Sequence, residues 1–194
     1  MEGAGEELIL GITGASGAII GVRLLEVLVE RGQQVHLIIS PGAETVIREE
    51  TGREVADLKA LATFYHAAHD MAAPLSSGSY VSPHVRAMII APCSMKTLAS
   101  IASGLAENLI GRAADVILKE GKRLVLIPRE SPLNPIHLEN MLRLARLGVA
   151  IVPPVPPFYQ RPHTVQELLD QMVGRILDQV GLHTDLTRRW SGRS

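Results

Sequence analysis

The sequence predicts an α/β fold: one doubly wound, mainly parallel sheet with helices on both faces. Wholly apolar runs of strand length alternate with stretches of helical period along the chain, the pattern of a parallel sheet covered on both sides. A glycine-rich turn follows the first apolar run directly. With 194 residues the chain can build one sizeable core but not two comfortable domains, so residues 1–194 are expected to form a single unit.

The elements follow in order. Residues 8–12 form a short buried strand ending at Thr13-Gly14, and 18–31 a helix with Val22, Leu25 and Val29 on one face, stopped by Gly32. Residues 35–39 are the second strand, ending at Ser40-Pro41, and 44–50 the next helix. The pattern is least regular over 51–84, where 62–67 reads as a strand and 73–82 as a loop rich in Ser, Gly and Pro. Residues 87–91 are a buried strand closed by Pro92, and helical period resumes over 96–103 and 107–120. A strand at 123–127, a helix at 135–147 with proline in its first turn, and a strand at 149–152 follow. That makes five or six parallel strands.

Five of the twelve prolines fall between 153 and 162, which predicts an extended, rigid loop. The last helix spans 165–180, with Val165, Leu168, Met172, Ile176 and Val180 on one stripe. A polar tail, about 183–194, holds the single tryptophan.

Composition excludes several classes. The net charge of −1 gives no bulk field for nucleic acid or anionic lipid, so any basic site must be a local cluster. Cys93 is the single cysteine and cannot close an intrachain disulfide, which fits a reducing cytoplasm. Residues 1–7 lack the basic start and apolar stretch of a signal peptide, and no apolar run approaches the roughly 18 residues that cross a bilayer. The seven histidines form no recognisable zinc spacing, and no Asp-rich segment offers a magnesium site. No metal is expected.

In open α/β sheets ligands bind beyond the carboxyl ends of the strands. The first such end carries Gly11-x-x-Gly14-x-x-Gly17, which turns tightly and aims free amides at an anion. It lacks the Gly-x-Gly-x-x-Gly spacing, and the second strand ends in Ser40 where a dinucleotide site places an acid for the ribose. A mononucleotide therefore fits better than NAD. Ser94, Met95, Lys96 and Thr97 open a helix after the 87–91 strand; an N-cap and an anion site use the same unpaired N–H groups there.

Arg129 and Glu130 follow the 123–127 strand. Such a pair is ordinarily a solvated one, but at a strand's carboxyl end the arginine can hold a phosphate and the acid can move a proton. Arg112 and Lys119 are seven residues apart on one helix and so share a face, as solvated charges also do. Tyr159 lies in the proline-rich loop, and Arg175 beside the apolar stripe of the last helix, where snorkelling is the ordinary reading.

Taken together, the chain resembles the UbiX family of flavin prenyltransferases. The resemblance rests on GITGASGA at 11–18, APCSMKTLASIASGLAENLIGRAADVILKE at 91–120, LVLIPRE at 124–130, PIHLENMLRLARLG at 135–148, PPFYQRP at 156–162 and GRIL at 174–177, in that order. It implies a Rossmann/flavodoxin-like flavoprotein that joins a dimethylallyl group, from dimethylallyl monophosphate, to N5 and C6 of reduced FMN. The product would be prenylated FMN for UbiD-type decarboxylases. It further implies that Gly14, Ala15, Ser16, Ser40, Ser94, Met95, Lys96, Thr97 and Arg129 line the FMN. Arg112, Lys119, Tyr159 and Arg175 would hold the prenyl phosphate, and Trp190 would lie against the prenyl group, in a tail that covers the active site or a neighbouring subunit. Glu130 would act in proton transfer and departure of phosphate, with Ser16 as orienter or relay at the flavin N5. Relatives form dodecamers, which implies a homo-oligomer whose sites draw on more than one chain.

The chain departs from the family at Ile20, usually tyrosine, and over 51–84, which does not align; Arg175 is lysine in some relatives. Two other readings share the fold class. An FMN-dependent cysteine-type decarboxylase would carry a catalytic histidine in the first third and a P-x-M-N-x-x-M-W clamp, and neither pattern is present. A non-catalytic FMN carrier would need neither Glu130 nor a second cluster of cations.

Overall fold

The computed structural model describes residues 7–187 and residue 192. Six strands, β1 (Glu7–Ile12), β2 (Val35–Ile39), β3 (Phe64–Ala67), β4 (Val85–Cys93), β5 (Arg123–Pro128) and β6 (Ala150–Ile151), form one sheet. All pairs are parallel and the order is β3-β2-β1-β4-β5-β6, the doubly wound Rossmann order. The order reverses between β1 and β4, and that reversal opens a crevice at their carboxyl ends.

Alternation along the strands divides the core into two layers. Leu8, Leu10 and Ile12 of β1 face α1 (Ala18–Glu30), α2 (Pro41–Thr51), α3 (Val55–Leu61) and α8 (Val165–Asp178). Ile9 of β1 and Met88 and Ile90 of β4 face the opposite layer. That layer holds α4 (Gly78–His84), α5 (Met95–Ala102), α6 (Leu109–Lys119) and α7 (Pro135–Arg146). Helix α1 lies close on the sheet because residue 21 is glycine: a Cβ there would stand 2.2 Å from the Ala91 carbonyl oxygen. Ile20 is 4% exposed and packs in the α1 layer of the core.

Three expectations are corrected. Residues 73–82 are not a plain loop: a 3₁₀ turn, Pro74–Ser76, leads into α4, which buries only Val81 and carries Pro83 in its last turn. Helix α3 within the irregular stretch was not expected; Val55 and Leu58, three apart, anchor it. On α8 the buried side is Leu169, Val173, Ile176 and Leu177, continued by Val180, whereas Val165 is 74% exposed. A stripe of helical period fixes a face but not which of two adjoining faces meets the core. The proline-rich segment is extended except for a 3₁₀ turn at Phe158–Gln160.

Candidate active site

Four chain segments meet at the carboxyl edge of the sheet. The end of β4 ties them together. Thr13 donates its hydroxyl to the Pro92 carbonyl at 2.7 Å and accepts from the Ser94 N–H at 2.8 Å, while the Arg129 N–H donates to the Cys93 carbonyl at 3.2 Å. Above these contacts lies a cavity of about 410 Å3, within the range of small-molecule sites. Its lining includes Gly14, Ser40, Ser94, Lys96, Thr97 and Asn108.

Three of these lining residues are helix N-caps. The Ser40 hydroxyl accepts from the Ala43 N–H at 3.3 Å at the head of α2, and the Ser94 hydroxyl from the Thr97 N–H at 3.3 Å at the head of α5. Asn108 Oδ1 accepts from the Gly111 N–H at 3.1 Å at the head of α6. Three helix starts, Lys96 and Glu107 thus meet at one cavity; the helix starts and the lysine favour an anion there, against the single glutamate. Gly14 forms part of its wall, where a Cβ would stand 2.9 Å from the Gly42 carbonyl carbon, so only glycine lets the two backbones meet there.

The start of α1 is satisfied differently. Gly17 is its N-cap and offers no side chain; the Glu50 carboxylate, from the end of α2, accepts from the Gly17 and Ala18 N–H groups at 2.8 and 2.9 Å. Ala15 is half-buried in the tight turn that its N–H makes to the Thr13 carbonyl at 2.8 Å, and Ser16 beside it is exposed. Arg129 is exposed, and its Cγ passes 4.0 Å from the place a Cβ would take on Gly17, which brings the β5 end to this same loop. Glu130 is exposed, with Oε1 accepting from the Ser131 N–H at 3.0 Å. Met95, partly buried, packs against the core and is not among the residues lining the cavity.

The expected prenyl-phosphate residues divide into two groups. Tyr159 and Arg175 line a second cavity, about 360 Å3, between the proline-rich segment and α8, with Val152, Met172 and Ile176 as its apolar wall. Arg112 and Lys119 lie on α6 instead and do not join them within the chain. Arg112 donates to the Ser76 carbonyl at 3.1 Å and to Asp115 at 2.7 Å, and Lys119 pairs with Glu120. Trp190 lies outside the described residues. Among the described residues no group of three or more His, Cys, Asp or Glu side chains could hold a metal ion.

Sequence reasoning missed Glu50, Asn108 and Thr13 as parts of this site. Asn108 carried a readable signal, a cap residue before a helical run. Glu50 carried none, since it reaches α1 from 33 residues away.

A parallel sheet in this order, an anion-favouring crevice at its switch point and no acid at the end of β2 define an α/β mononucleotide-binding protein. The Flavoprotein family model matches residues 2–177. A probable UbiX-like flavin prenyltransferase of Streptomyces sp. (strain D7) is 54% identical over 186 residues, covering 95% of this chain and 92% of that one. A dodecameric FMN-dependent UbiX-like decarboxylase from Escherichia coli O157:H7 superposes with a TM-score of 0.92 at 53% identity, covering 96% of this chain and all of that one. AnUbiX (PadA1), solved in complex with FMN and dimethylallyl pyrophosphate, gives 0.94 at 46% identity over 98% of this chain and 100% of that one. The chain belongs to the UbiX-like flavin prenyltransferases of the Flavoprotein family.

Proposed function

We propose that this protein joins a dimethylallyl group, from dimethylallyl monophosphate, to N5 and C6 of reduced FMN. The observation that carries the reading is the convergence of three capped helix starts and Lys96 on one cavity of about 410 Å3 at the sheet's switch point. The residues present fit the flavin's phosphate end: Ser40, Ser94 and Thr97 supply hydroxyls, Lys96 a cation, and Gly14 leaves the wall open where a side chain would fill it. Gly14, Ala15, Ser16, the backbone of Met95 and Arg129 would flank the rest of it.

Reduced FMN, when bound, supplies the nucleophilic nitrogen. The chain's residues supply the rest. A monophosphate is a poor leaving group, so cations must stabilise the negative charge that grows on it; Tyr159 and Arg175 from one cavity, with Arg112 and Lys119 from a neighbouring copy, would form that cradle. Arginine and lysine thereby do the neutralising that a magnesium ion does elsewhere. Glu130 would hand a proton to the departing phosphate, and Ser16 would orient the acceptor nitrogen or carry its proton.

The neighbouring copy is our inference from the position of Arg112 and Lys119 on α6, apart from the second cavity, and it is supported by the dodecameric state of the E. coli neighbour. We assign the product to a UbiD-type decarboxylase and place the protein in the cytoplasm; no helix among the described residues is long and apolar enough to cross a membrane.

The test is anaerobic incubation with reduced FMN and dimethylallyl monophosphate, then mass spectrometry of the flavin. Gain of a five-carbon unit is expected, and a parallel reaction with dimethylallyl pyrophosphate, the ligand of AnUbiX, ranks the two donors. Because one close neighbour is described as a decarboxylase, the same protein is offered a cysteine-terminated peptide. Carbon dioxide release without flavin mass gain would replace the prenyltransferase reading. Tight FMN binding with neither product would make the protein a carrier.

A further inference from the structure

Few polar side chains are buried in this protein, and each needs a reason. Among the described residues they are Thr13, His36, Gln171, Thr184 and Thr187. Thr13, 2% exposed, stands just past β1, where a valine of the same shape would suit a buried strand end. Its hydroxyl proton goes to the Pro92 carbonyl at 2.7 Å and one lone pair takes the Ser94 N–H at 2.8 Å.

The second bond completes a helix cap. Ser94 is the N-cap of α5, and its hydroxyl accepts from the N–H of Thr97, the third helical residue. In a capping box the side chain of that third residue returns a bond to the N-cap's own N–H. Here Thr97 instead accepts from the Ser94 hydroxyl at 3.1 Å, and Thr13 takes the Ser94 N–H from 81 residues away. The box is closed between strands.

We propose that Thr13 is a positioning residue for the flavin: its hydroxyl holds the 94–97 loop in register with the 14–17 loop, and so sets FMN affinity by acting through Ser94. The proposal rests on the reading that FMN lies across these two loops. Without the hydroxyl, Ser94 loses the partner of its N–H and the head of α5 is free to shift against Gly14. The Pro92 carbonyl keeps a bond from the Thr13 N–H at 3.2 Å, so the strand ends themselves stay joined.

The test compares parent, Thr13→Val and Thr13→Ser by anaerobic FMN titration, steady-state kinetics and thermal melts. Thr13→Val should raise the Kd and KM for FMN by about tenfold or more, roughly the effect of one unmade buried hydrogen bond. The KM for the prenyl donor should stay unchanged, and Thr13→Ser should recover parent affinity to within about threefold. Thr13→Val binding FMN as tightly as the parent would overturn the proposal alone, as would a Thr13→Ser variant as impaired as Thr13→Val, since serine keeps the hydroxyl that the proposal makes responsible. A parent that binds no FMN would overturn the flavin reading and this inference with it. Should Thr13→Val fail to fold, hydrogen exchange in the parent decides: a Ser94 amide exchanging as fast as exposed loop amides refutes the clasp, and a protected one supports it.

Discussion

The two halves of the proposed site are built in opposite ways. The cavity at the β1–β4 switch is finished within one chain. Its walls are backbone turns and helix starts, each held by a cap, and Thr13 and Arg129 lock the three strand ends beneath it. The cation cradle is unfinished. Tyr159 and Arg175 share a cavity, but Arg112 and Lys119 sit on α6, whose last residue, Lys119, lies only four residues before β5 begins. That places Lys119 towards the amino edge of the sheet, roughly 16 Å along the helix from its head at the cavity. Arg112, Lys119 and Arg175 each meet an acid of their own, Asp115, Glu120 and Asp178. The groups that would grip the flavin's phosphate end face no change of charge there during the reaction, and a preorganised pocket serves them. The prenyl phosphate gains charge as it departs, and the cradle proposed for it would draw on cations brought together by assembly.

The largest effect expected from breaking this division is at Glu130. Glu130→Gln should slow prenyl transfer by roughly 10²–10⁴-fold, the usual range for a positioned proton donor, without changing the Kd for FMN. Single-turnover kinetics and flavin titration read the two quantities separately. Unchanged turnover removes Glu130 from the mechanism.

Assembly can be tested by mixing. Arg112→Ala and Arg175→Ala should each cut activity about a hundredfold, as loss of one charge-assisted contact to a developing anion does. If each site takes Arg112 from one copy and Arg175 from another, co-expressed variants should regain activity in about a quarter of sites by random mixing. If both arginines belong to one chain's site, mixing recovers nothing and the cradle is intramolecular after all.

On the pocket side, Gly14→Ala forces a Cβ to 2.9 Å from the Gly42 backbone. Separation of these turns should lower stability by about 1–3 kcal/mol in urea unfolding and weaken FMN binding, with the donor KM unaffected. Glu50→Ala removes the acceptor from two N–H groups at the head of α1 and should be milder, about 1 kcal/mol, the usual effect of losing a cap.

The same division explains what could be read from sequence. Strands buried on both faces are near-continuous apolar runs, so β1, β2, β4 and β5 stood out, and the rule of strand ends then led to Gly14, Ser40, Ser94, Lys96 and Thr97. Helices α3 and α4 were hidden because seven residues give too little period, and α4 opens with Gly-Ser and buries Val81 alone. Glu50 and Thr13 were hidden for another reason. Each acts on a partner far along the chain, and nothing local marks a carboxylate or a hydroxyl as the cap of someone else's helix. The proposed meeting of Arg112 and Lys119 with Arg175 requires a neighbouring copy, and no local pattern in one sequence marks such a meeting.

The smallest effect sharpens the contrast by lying in neither region. At the β2–β3 edge, His36, 2% exposed, places Nε2 3.0 Å from Glu7 and Nδ1 2.9 Å from His66, and the Tyr80 hydroxyl donates to the same Glu7 oxygen at 3.0 Å. Burial holds the His36 imidazole below its ordinary pKa, against the pull of Glu7. Burial and then the neighbouring His36 hold His66 down, against Asp70. Burial, then Glu7, pushes Tyr80 up to about 12, so it stays a donor throughout the acid range. Below about 6.5 the unfolded chain takes up protons that the folded histidines refuse, so stability is full above that pH and is lost as pH falls through the lowered folded values. Urea unfolding between about pH 7.5 and pH 5 should show that decline, and His66→Gln should flatten it by removing one of the two refusing groups. An equally steep decline in the variant would remove His66 from the account of the acid sensitivity.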